Sequence, residues 1–163
     1  MAIWVQASFM AGHGVAPVED LGAAVDLEAL YPGDAAEQRY LCQLEAALHR
    51  RRVELLREKA AAAAADPAGL GPPATAAFVL DLCAVDPAYQ RRGIARALVQ
   101  WGLDEAERRG GIECITEASS MGRQVYLQMG FKQEGGEMVY AVDEFKDRTL
   151  PSNIFLRTGP PGQ

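Results

Sequence analysis

Apolar residues in the second half of the chain follow two different periods. A largely apolar run over residues 78–85 predicts a buried strand. From residue 94 to 106 apolar side chains recur every three or four positions, which predicts an amphipathic helix that Gly110-Gly111 ends. Residues 112–116 predict a second short buried strand. Strand, helix and strand in this order form a βαβ unit with two parallel strands.

The segments that follow predict one more helix and two more strands. The helix is expected to be capped by Ser119 or Ser120 and to end at Gly130. The strands are expected at residues 131–142, with a bend at Gly135-Gly136, and at residues 153–157. We therefore expect a single α/β domain, in which a mixed sheet contains the βαβ unit and helices flank it.

The first half of the chain has a weaker pattern. Residues 2–8 predict one strand, and the rest of segment 1–34 is expected to be irregular, with a helical turn near residues 26–30. Asp34 and Glu37 have the spacing of a helix capping box, so one long helix is expected over residues 35–65. The Ala-, Pro- and Gly-rich residues 66–77 predict a flexible connector.

Three consecutive arginines, Arg50, Arg51 and Arg52, lie on the predicted long helix. Such a run can form a site for an anion or a partner. A charge run on an amphipathic helix is more often a solvated face, and this is the interpretation we favour.

Composition and charge exclude several classes of function. The net charge of −6 argues against a general nucleic-acid-binding protein, because such proteins need a basic face. Three cysteines and two histidines lack the spacing of a metal site or a disulfide framework, which predicts no metal and a reducing compartment. The N-terminal residues resemble neither a signal peptide nor a membrane span, so we expect a cytoplasmic protein without a membrane partner.

The loop between the first buried strand and its helix carries the candidate chemistry. Its residues are Gln90, Arg91, Arg92, Gly93, Ile94 and Ala95, followed by Arg96. A strand, a glycine-bearing loop and a helix start place successive backbone N–H groups and the positive end of the helix dipole around an anionic diphosphate. The arginines can neutralise phosphate charge. A local basic cluster in an acidic chain favours a small polyanion over a polymer.

This order of features resembles the GNAT superfamily of acetyl-CoA-dependent N-acyltransferases. The family signature, Gln/Arg-x-x-Gly-x-Gly/Ala, is matched by Gln90, Gly93 and Ala95. Tyr126 and Gly130-Phe131 match the context downstream. The stretch over residues 80–110 is most similar to fungal members. The residues before it do not match the strands and helices of a full member, so the N-terminal strands are expected to be incomplete.

The resemblance implies how an acyl donor would be held. Residues 78–157 would form the acyl-CoA-binding core, with acetyl-CoA as cosubstrate and residues 90–96 around its pyrophosphate. The backbone of Cys83 and Val85 would pair with the pantetheine arm like an additional strand. This pairing requires the two parallel strands to separate after Val85. The acceptor would be an amine of a small molecule or a peptide, which attacks the acetyl group directly.

The resemblance also implies a catalytic residue. Tyr126 would hydrogen-bond the coenzyme A sulfur and protonate the leaving thiolate, although a core tyrosine explains this position equally well. The expected glutamate base is replaced by Val79. Asp81, Glu117 or a water relay are the alternatives for that base. Cys83 is interpreted as a small core residue rather than a covalent nucleophile, because the family attacks directly.

Two other functions are compatible with parts of the sequence. The first is a non-catalytic coenzyme A-binding or interaction module, with the long helix as its docking surface. The second is a nucleotide-binding Rossmann domain, which we disfavour because the three-glycine G-x-G-x-x-G turn is absent from the sequence. The acidic balance of the chain slightly favours a cationic acceptor.

Overall fold

A computed structural model describes residues 1–65 and 71–159 of the chain. Five strands form one sheet in the order β1-β2-β3-β5-β4. The central pair, β2 and β3, is parallel, and all other neighbours are antiparallel. This confirms the predicted α/β fold with a central βαβ unit. The strands are β1 (Ala2–Ala7), β2 (Ala77–Cys83), β3 (Cys114–Ser119), β4 (Lys132–Glu137) and β5 (Asn153–Arg157).

Helices lie on both faces of the sheet. They are α1 (Leu21–Ala24), α2 (Leu27–Leu30), α3 (Ala35–Leu48), α4 (Arg50–Ala65), α5 (Pro72–Thr75), α6 (Ile94–Arg108) and α7 (Arg123–Gln128). Two short 3-10 turns accompany them, at Pro87–Tyr89 and Asp143–Phe145. Within the described part of the chain, no helix is both long enough and apolar enough to cross a lipid bilayer.

Two apolar cores form because side chains on a strand alternate between the faces of the sheet. On one face, Phe78 and Leu80 of β2 pack with Val99 of α6 and with Tyr126 of α7. On the other face, residues from the sheet pack under α4, and these are Ala7, Ala77, Val79, Ile115 and Phe155, with Leu55 and Leu56 from the helix. The first face carries α6 and α7, and the second face carries α4.

The single long helix predicted over residues 35–65 is instead two helices. The helical conformation is interrupted at His49, between α3 and α4. Leu44 and Leu48 of α3 pack against a separate cluster that contains Tyr140 and Phe145. The apolar side chains of α4 pack on the sheet. The apolar faces of α3 and α4 are buried against different surfaces, and one straight helix could not pack against both.

The prediction of a solvated arginine face is wrong for two of the three arginines. Arg50 is exposed. Arg51 pairs with Glu58 and with Glu134 of β4. Arg52 pairs with Asp81 and Glu117, and only 11% of its side chain is exposed. The helix lies against a sheet face that carries carboxylates, and an unpaired charge buried there would be unfavourable, so the arginines pair with them.

The predicted connector is structured over the part that is described. Residues 66–70 lie outside the described residues, whereas α5 forms a helical turn directly before β2. The fully buried Thr75 anchors this turn to the N-terminal segment, since its carbonyl accepts from the Ser8 hydroxyl at 2.7 Å. His13 Nδ1 lies 2.5 Å from the Thr75 hydroxyl. Residues 71–77 are therefore part of the packed structure.

Other element bounds differ from the predicted ones. The second buried strand begins at Cys114 and continues to Ser119, so neither predicted serine caps the next helix. That helix begins at Arg123 with Gly122 as its N-cap residue. The strand predicted over residues 131–142 ends at Glu137, because the following loop packs against α3. The predicted bend at Gly135-Gly136 is confirmed as a register shift between β4 and β5.

Gly102 of α6 allows the helix to approach β1. A Cβ at this position would overlap the indole of Trp4, which stacks on Phe78 with ring centroids 5.1 Å apart. We expect Gly102→Ala to lower the free energy of unfolding by about 1–3 kcal/mol, since it overpacks the core. At an open helix position the same change would raise it by about 1 kcal/mol.

Urea unfolding of the purified variants measures this effect. The control is Gly136→Ala, because no atom of the described residues lies within 4 Å of the added Cβ. Its effect is expected to stay within about 0.5 kcal/mol. An unfolding midpoint of Gly102→Ala equal to or above that of the unmodified protein would contradict the packing described for Trp4.

Candidate active site

A gap opens between the two parallel strands. Their ladder consists only of the pairs Phe78 with Cys114 and Val79 with Ile115. One residue further, the hydroxyl of Thr116 donates to the carbonyl of Leu80 at 2.9 Å, which replaces a backbone bond. The separation that the resemblance requires is therefore present, but it begins after Val79 and not after Val85.

A β-bulge at Asp81 redirects the end of β2. On β1, Ile3 and Trp4 are consecutive, yet they pair with Leu82 and Leu80, which leaves Asp81 as an extra residue. The extra residue shifts the alternation of side chains by one position. As a result, Cys83 packs on the same face as Leu80, and it meets Tyr126 there.

The backbone of Cys83 faces the gap. The next residue, Ala84, exchanges two hydrogen bonds with Met1, at 2.9 and 2.7 Å, and so points toward β1. Backbone groups alternate in direction along a strand, so the N–H and C=O of Cys83 point away from β1. The carbonyl of Val85 accepts from the Gln90 side-chain amide at 3.0 Å, which ties the following loop to the strand end.

The loop before α6 presents backbone N–H groups. Arg91 and Gly93 have left-handed backbone conformations, with φ values of 61° and 78°. Gly93 is the N-cap residue of α6, and as a glycine it has no side chain that could cap the helix start. The first N–H groups of a helix, here those of Ile94, Ala95 and Arg96, have no partner within the helix itself. An anion at this position would meet several donors and the positive end of the helix dipole.

The three arginines of the loop have different positions. Arg91 and Arg96 line the cavity described below, and Arg96 also donates to the Gln128 side chain of α7 at 2.9 Å. Arg92 lies over the ring of Tyr89, with its guanidinium carbon 5.3 Å from the ring centroid. Arg92 is thus the one predicted pyrophosphate residue that does not line the cavity.

One cavity of 680 Å³ joins the gap, the loop and α7. It brings together nine of the residues singled out from the sequence, namely Cys83, Val85, Gln90, Arg91, Gly93, Ile94, Ala95, Arg96 and Tyr126. Its remaining walls were not foreseen, and they include Ser119, Met121, Gly122 and Val125. Gly122 has a specific role there, since a Cβ on it would lie 2.9 Å from the Tyr126 ring. A glycine directly before the helix is the only sequence signal for it.

Tyr126 and Cys83 form a pair in the wall of the cavity. Burial and, to a smaller extent, the neighbouring Cys83 thiol together raise the pKa of Tyr126 to about 12. Burial also raises the pKa of Cys83, while the Tyr126 hydroxyl acts in the opposite direction. Both groups are therefore protonated at neutral pH. Tyr126 is only 8% exposed, so it is a core residue and a cavity residue at once.

The two candidate bases from the sequence lie on the other face of the sheet. Asp81 and Glu117 both pair with Arg52, which extends from α4. The Arg52 Nε–Glu117 Oε1 distance is 3.0 Å, and the Arg52 Nη1–Asp81 Oδ1 distance is 2.7 Å. The Glu117 side chain is 4% exposed, compared with 41% for Asp81. Neither carboxylate lines the cavity that contains Tyr126.

Comparisons with known proteins agree with this architecture. A family model described as an acetyltransferase (GNAT) domain matches residues 34–142. The crystal structure of a mosquito arylalkylamine N-acetyltransferase-like 5b superposes with a TM-score of 0.56 at 17% identity. The alignment covers 96% of this chain and 66% of that chain, so this chain spans just under two thirds of its length. At this identity the likeness shows a common fold. No curated protein matches the chain.

The pairing of Cys83 with Tyr126 predicts how the thiol reacts. Because its pKa is raised, little thiolate is present at pH 8, and we expect iodoacetamide to modify Cys83 more slowly than glutathione. Tyr126→Phe should slow the reaction further, since the hydroxyl that lowers the pKa is removed. Cys114, with a pKa of about 12, should be slower still.

Mass spectrometry of the peptides that contain the two cysteines gives both rates. In denaturing urea the two thiols should react equally, which controls for the local sequence. A Cys83 that reacts as fast as glutathione in the folded protein, or faster in Tyr126→Phe, would contradict the described pair.

Proposed function

The chain belongs to the acetyltransferase (GNAT) domain family, and from this premise we propose that it transfers an acetyl group from acetyl-CoA to a primary amine. The observation that carries the proposal is the 680 Å³ cavity, which connects the strand gap with the uncapped start of α6. Acetyl-CoA, when bound, supplies an acyl group activated as a thioester. The residues of the chain bind the donor, orient it in the gap and stabilise the departing thiolate.

The loop suits the diphosphate of the donor. The N–H groups of Ile94, Ala95 and Arg96 start the helix without a capping side chain, and hydrogen bonds to phosphate oxygens would satisfy them. The guanidinium groups of Arg91 and Arg96 at the cavity wall add charge-assisted donors. Because the Arg92 guanidinium lies over the Tyr89 ring and not at the cavity wall, we propose that Arg92 contributes only its positive charge to the loop.

The strand gap suits the pantetheine arm. This arm contains amide groups, and amides buried in a protein need hydrogen-bond partners. The N–H and C=O of Cys83 face the gap at a point where the β2–β3 ladder has already ended. We assign these groups to the arm. Val85 contributes through its N–H, since its carbonyl already accepts from Gln90.

Tyr126 is proposed to stabilise the departing thiolate by donating a hydrogen bond from its hydroxyl. Its pKa of about 12 is well above that of a free thiol, which is about 8.5. Complete transfer of the phenolic proton to the sulfur is therefore uphill, whereas a hydrogen bond from the neutral phenol is available throughout the neutral range. Gly122 leaves the ring the space that it needs.

The acceptor amine must lose a proton, and we propose that water molecules relay this proton to the solvent. Asp81 and Glu117 are held by Arg52 outside the cavity, so neither is placed to accept that proton directly. Burial raises the pKa of Tyr140 to about 12, and Glu117, Glu45 and Glu137 contribute to this shift. These carboxylates, together with the net charge of −6, support a cationic amine as the acceptor.

Binding of the donor can be tested through its diphosphate. We expect coenzyme A to bind about 10²-fold more tightly than pantetheine, which lacks the diphosphate, since each charge-assisted hydrogen bond contributes about 1.5–3 kcal/mol. Arg96→Gln should weaken coenzyme A binding about tenfold and leave pantetheine binding unchanged. The matched control is Arg108→Gln at the other end of α6, where the arginine pairs with Glu105.

Isothermal titration calorimetry measures these affinities. Equal affinities for coenzyme A and pantetheine would show that the loop does not bind the diphosphate. A loss of coenzyme A affinity in Arg108→Gln equal to that in Arg96→Gln would show an effect of general charge only.

Catalysis can be tested separately from binding. Tyr126→Phe is expected to lower kcat about 10²-fold, the range of a single positioned proton-sharing group, with coenzyme A affinity changed less than about threefold. Because the pKa of Tyr126 is about 12, its contribution should persist through the neutral range and disappear only as the pH rises toward that value.

Release of free thiol with a panel of monoamines, diamines and peptides gives the rates. An unchanged kcat in Tyr126→Phe would contradict the proposed role of the tyrosine hydroxyl in catalysis. Tight coenzyme A binding without turnover of any amine would instead support the non-catalytic coenzyme A-binding module.

A further inference from the structure

Arg52 connects the two strands at the point where their backbone pairing has stopped. The last backbone pair of β2 and β3 is Val79 with Ile115. Asp81 and Glu117 each lie two positions beyond that pair, on the face covered by α4. The Arg52 guanidinium donates hydrogen bonds to both, from Nε and Nη2 to Glu117 and from Nη1 to Asp81. One side chain therefore spans the start of the gap.

Among the described residues, few other contacts connect the two sides of the gap. The hydroxyl of Thr116 reaches the Leu80 carbonyl at 2.9 Å, before the gap widens. Beyond this bond, the Arg52 bridge is the next link between the two strands in the described residues on the α4 face. The planar guanidinium holds its partners in a fixed geometry, which a lysine ammonium does not. With two carboxylates and one cation, the cluster also keeps a net negative charge.

The docking of α4 does not depend on this bridge alone. Leu55 and Leu56 are buried against the sheet. Lys59 lies 3.1 Å from the fully buried Glu113, and Arg51 lies 2.5 Å from Glu134. These contacts anchor the helix on both sides of Arg52. The particular contribution of Arg52 is the link across the gap.

We propose that Arg52 is a positioning residue that sets the width of the gap between β2 and β3 and thereby the affinity for the acyl donor. This inference rests on the proposed function, in which the gap receives the pantetheine arm. Arg52 touches neither the cavity nor the reacting groups. It acts through Asp81, whose bulge directs Cys83 toward Tyr126, and through Glu117 on the opposite strand.

The test compares two double variants, each of which replaces one arginine of α4 and one carboxylate with which it pairs on the sheet. Arg52→Met with Glu117→Gln removes the link across the gap and leaves no buried charge without a partner, because the remaining Asp81 is 41% exposed. Arg51→Met with Glu134→Gln removes the adjacent pair, which lies at β4 and not at the gap. Arg52→Lys keeps the positive charge but removes the planar guanidinium that bonds to both carboxylates. This variant remains informative if the first double variant does not fold.

Two measurements are made on each protein. Calorimetry gives the coenzyme A affinity, and amide hydrogen exchange without ligand reports on the peptides that contain residues 80–85 and 115–119. We expect the Arg52 double variant to bind coenzyme A about tenfold more weakly and to exchange faster in these peptides, with Arg52→Lys intermediate. The Arg51 double variant should lose thermal stability to a similar extent and keep its affinity within about twofold.

Each outcome decides the proposal. Equal affinities and equal exchange in the two double variants, or a fully functional Arg52→Lys, would overturn it, because Arg52 would then be an ordinary structural anchor. If the unmodified protein does not bind coenzyme A, the proposed function fails. The exchange data then still decide whether Arg52 holds the two strands.

Discussion

The separation of two parallel strands is the constraint on which the candidate site depends. Backbone groups that leave a ladder need new partners, since unpaired buried amides are unfavourable. β2 meets this requirement on one side through β1 and Met1, and on the other side through the Thr116 hydroxyl. The groups of Cys83 that face the gap are then available to a ligand. The bulge at Asp81 places the Cys83 thiol against Tyr126, so the same irregularity shapes both the gap and the Cys83–Tyr126 pair.

Several basic side chains of this acidic chain form ion pairs with carboxylates of the same chain. Arg51, Arg52 and Lys59 extend from α4 to carboxylates on the sheet, and Arg157 pairs with Glu113. Buried ion pairs, such as those of Arg52 with Glu117 and of Lys59 with Glu113, add little net stability compared with apolar packing, but removing one partner is strongly destabilising. They therefore specify how α4 lies on the sheet. Helix α4, in the N-terminal half of the chain, covers this face of the sheet. Its Arg52 binds carboxylates on both strands that border the gap.

Tyr126 shows how one tyrosine can be a core residue and also line the candidate site. Its ring packs against Phe131 and under Gly122, which accounts for its burial. The same burial raises its pKa to about 12 and keeps the phenol neutral. A neutral phenol that is rigidly held can donate a hydrogen bond without reorganisation, which is the condition for effective stabilisation of developing charge. The two interpretations of this tyrosine from the sequence are thus compatible.

The local pattern of the sequence determined the elements of the second half and the loop from Gln90 to Arg96, because apolar period, glycine position and helix start are properties of neighbouring residues. It did not determine the partners of Arg51 and Arg52, the break at His49 or the bulge at Asp81. Each of these depends on which distant surface a segment packs against. Arg52 and Glu117 are 65 positions apart, and an ion pair over such a separation produces no periodic pattern in the sequence. Only the packing of the helix on the sheet determined this pair.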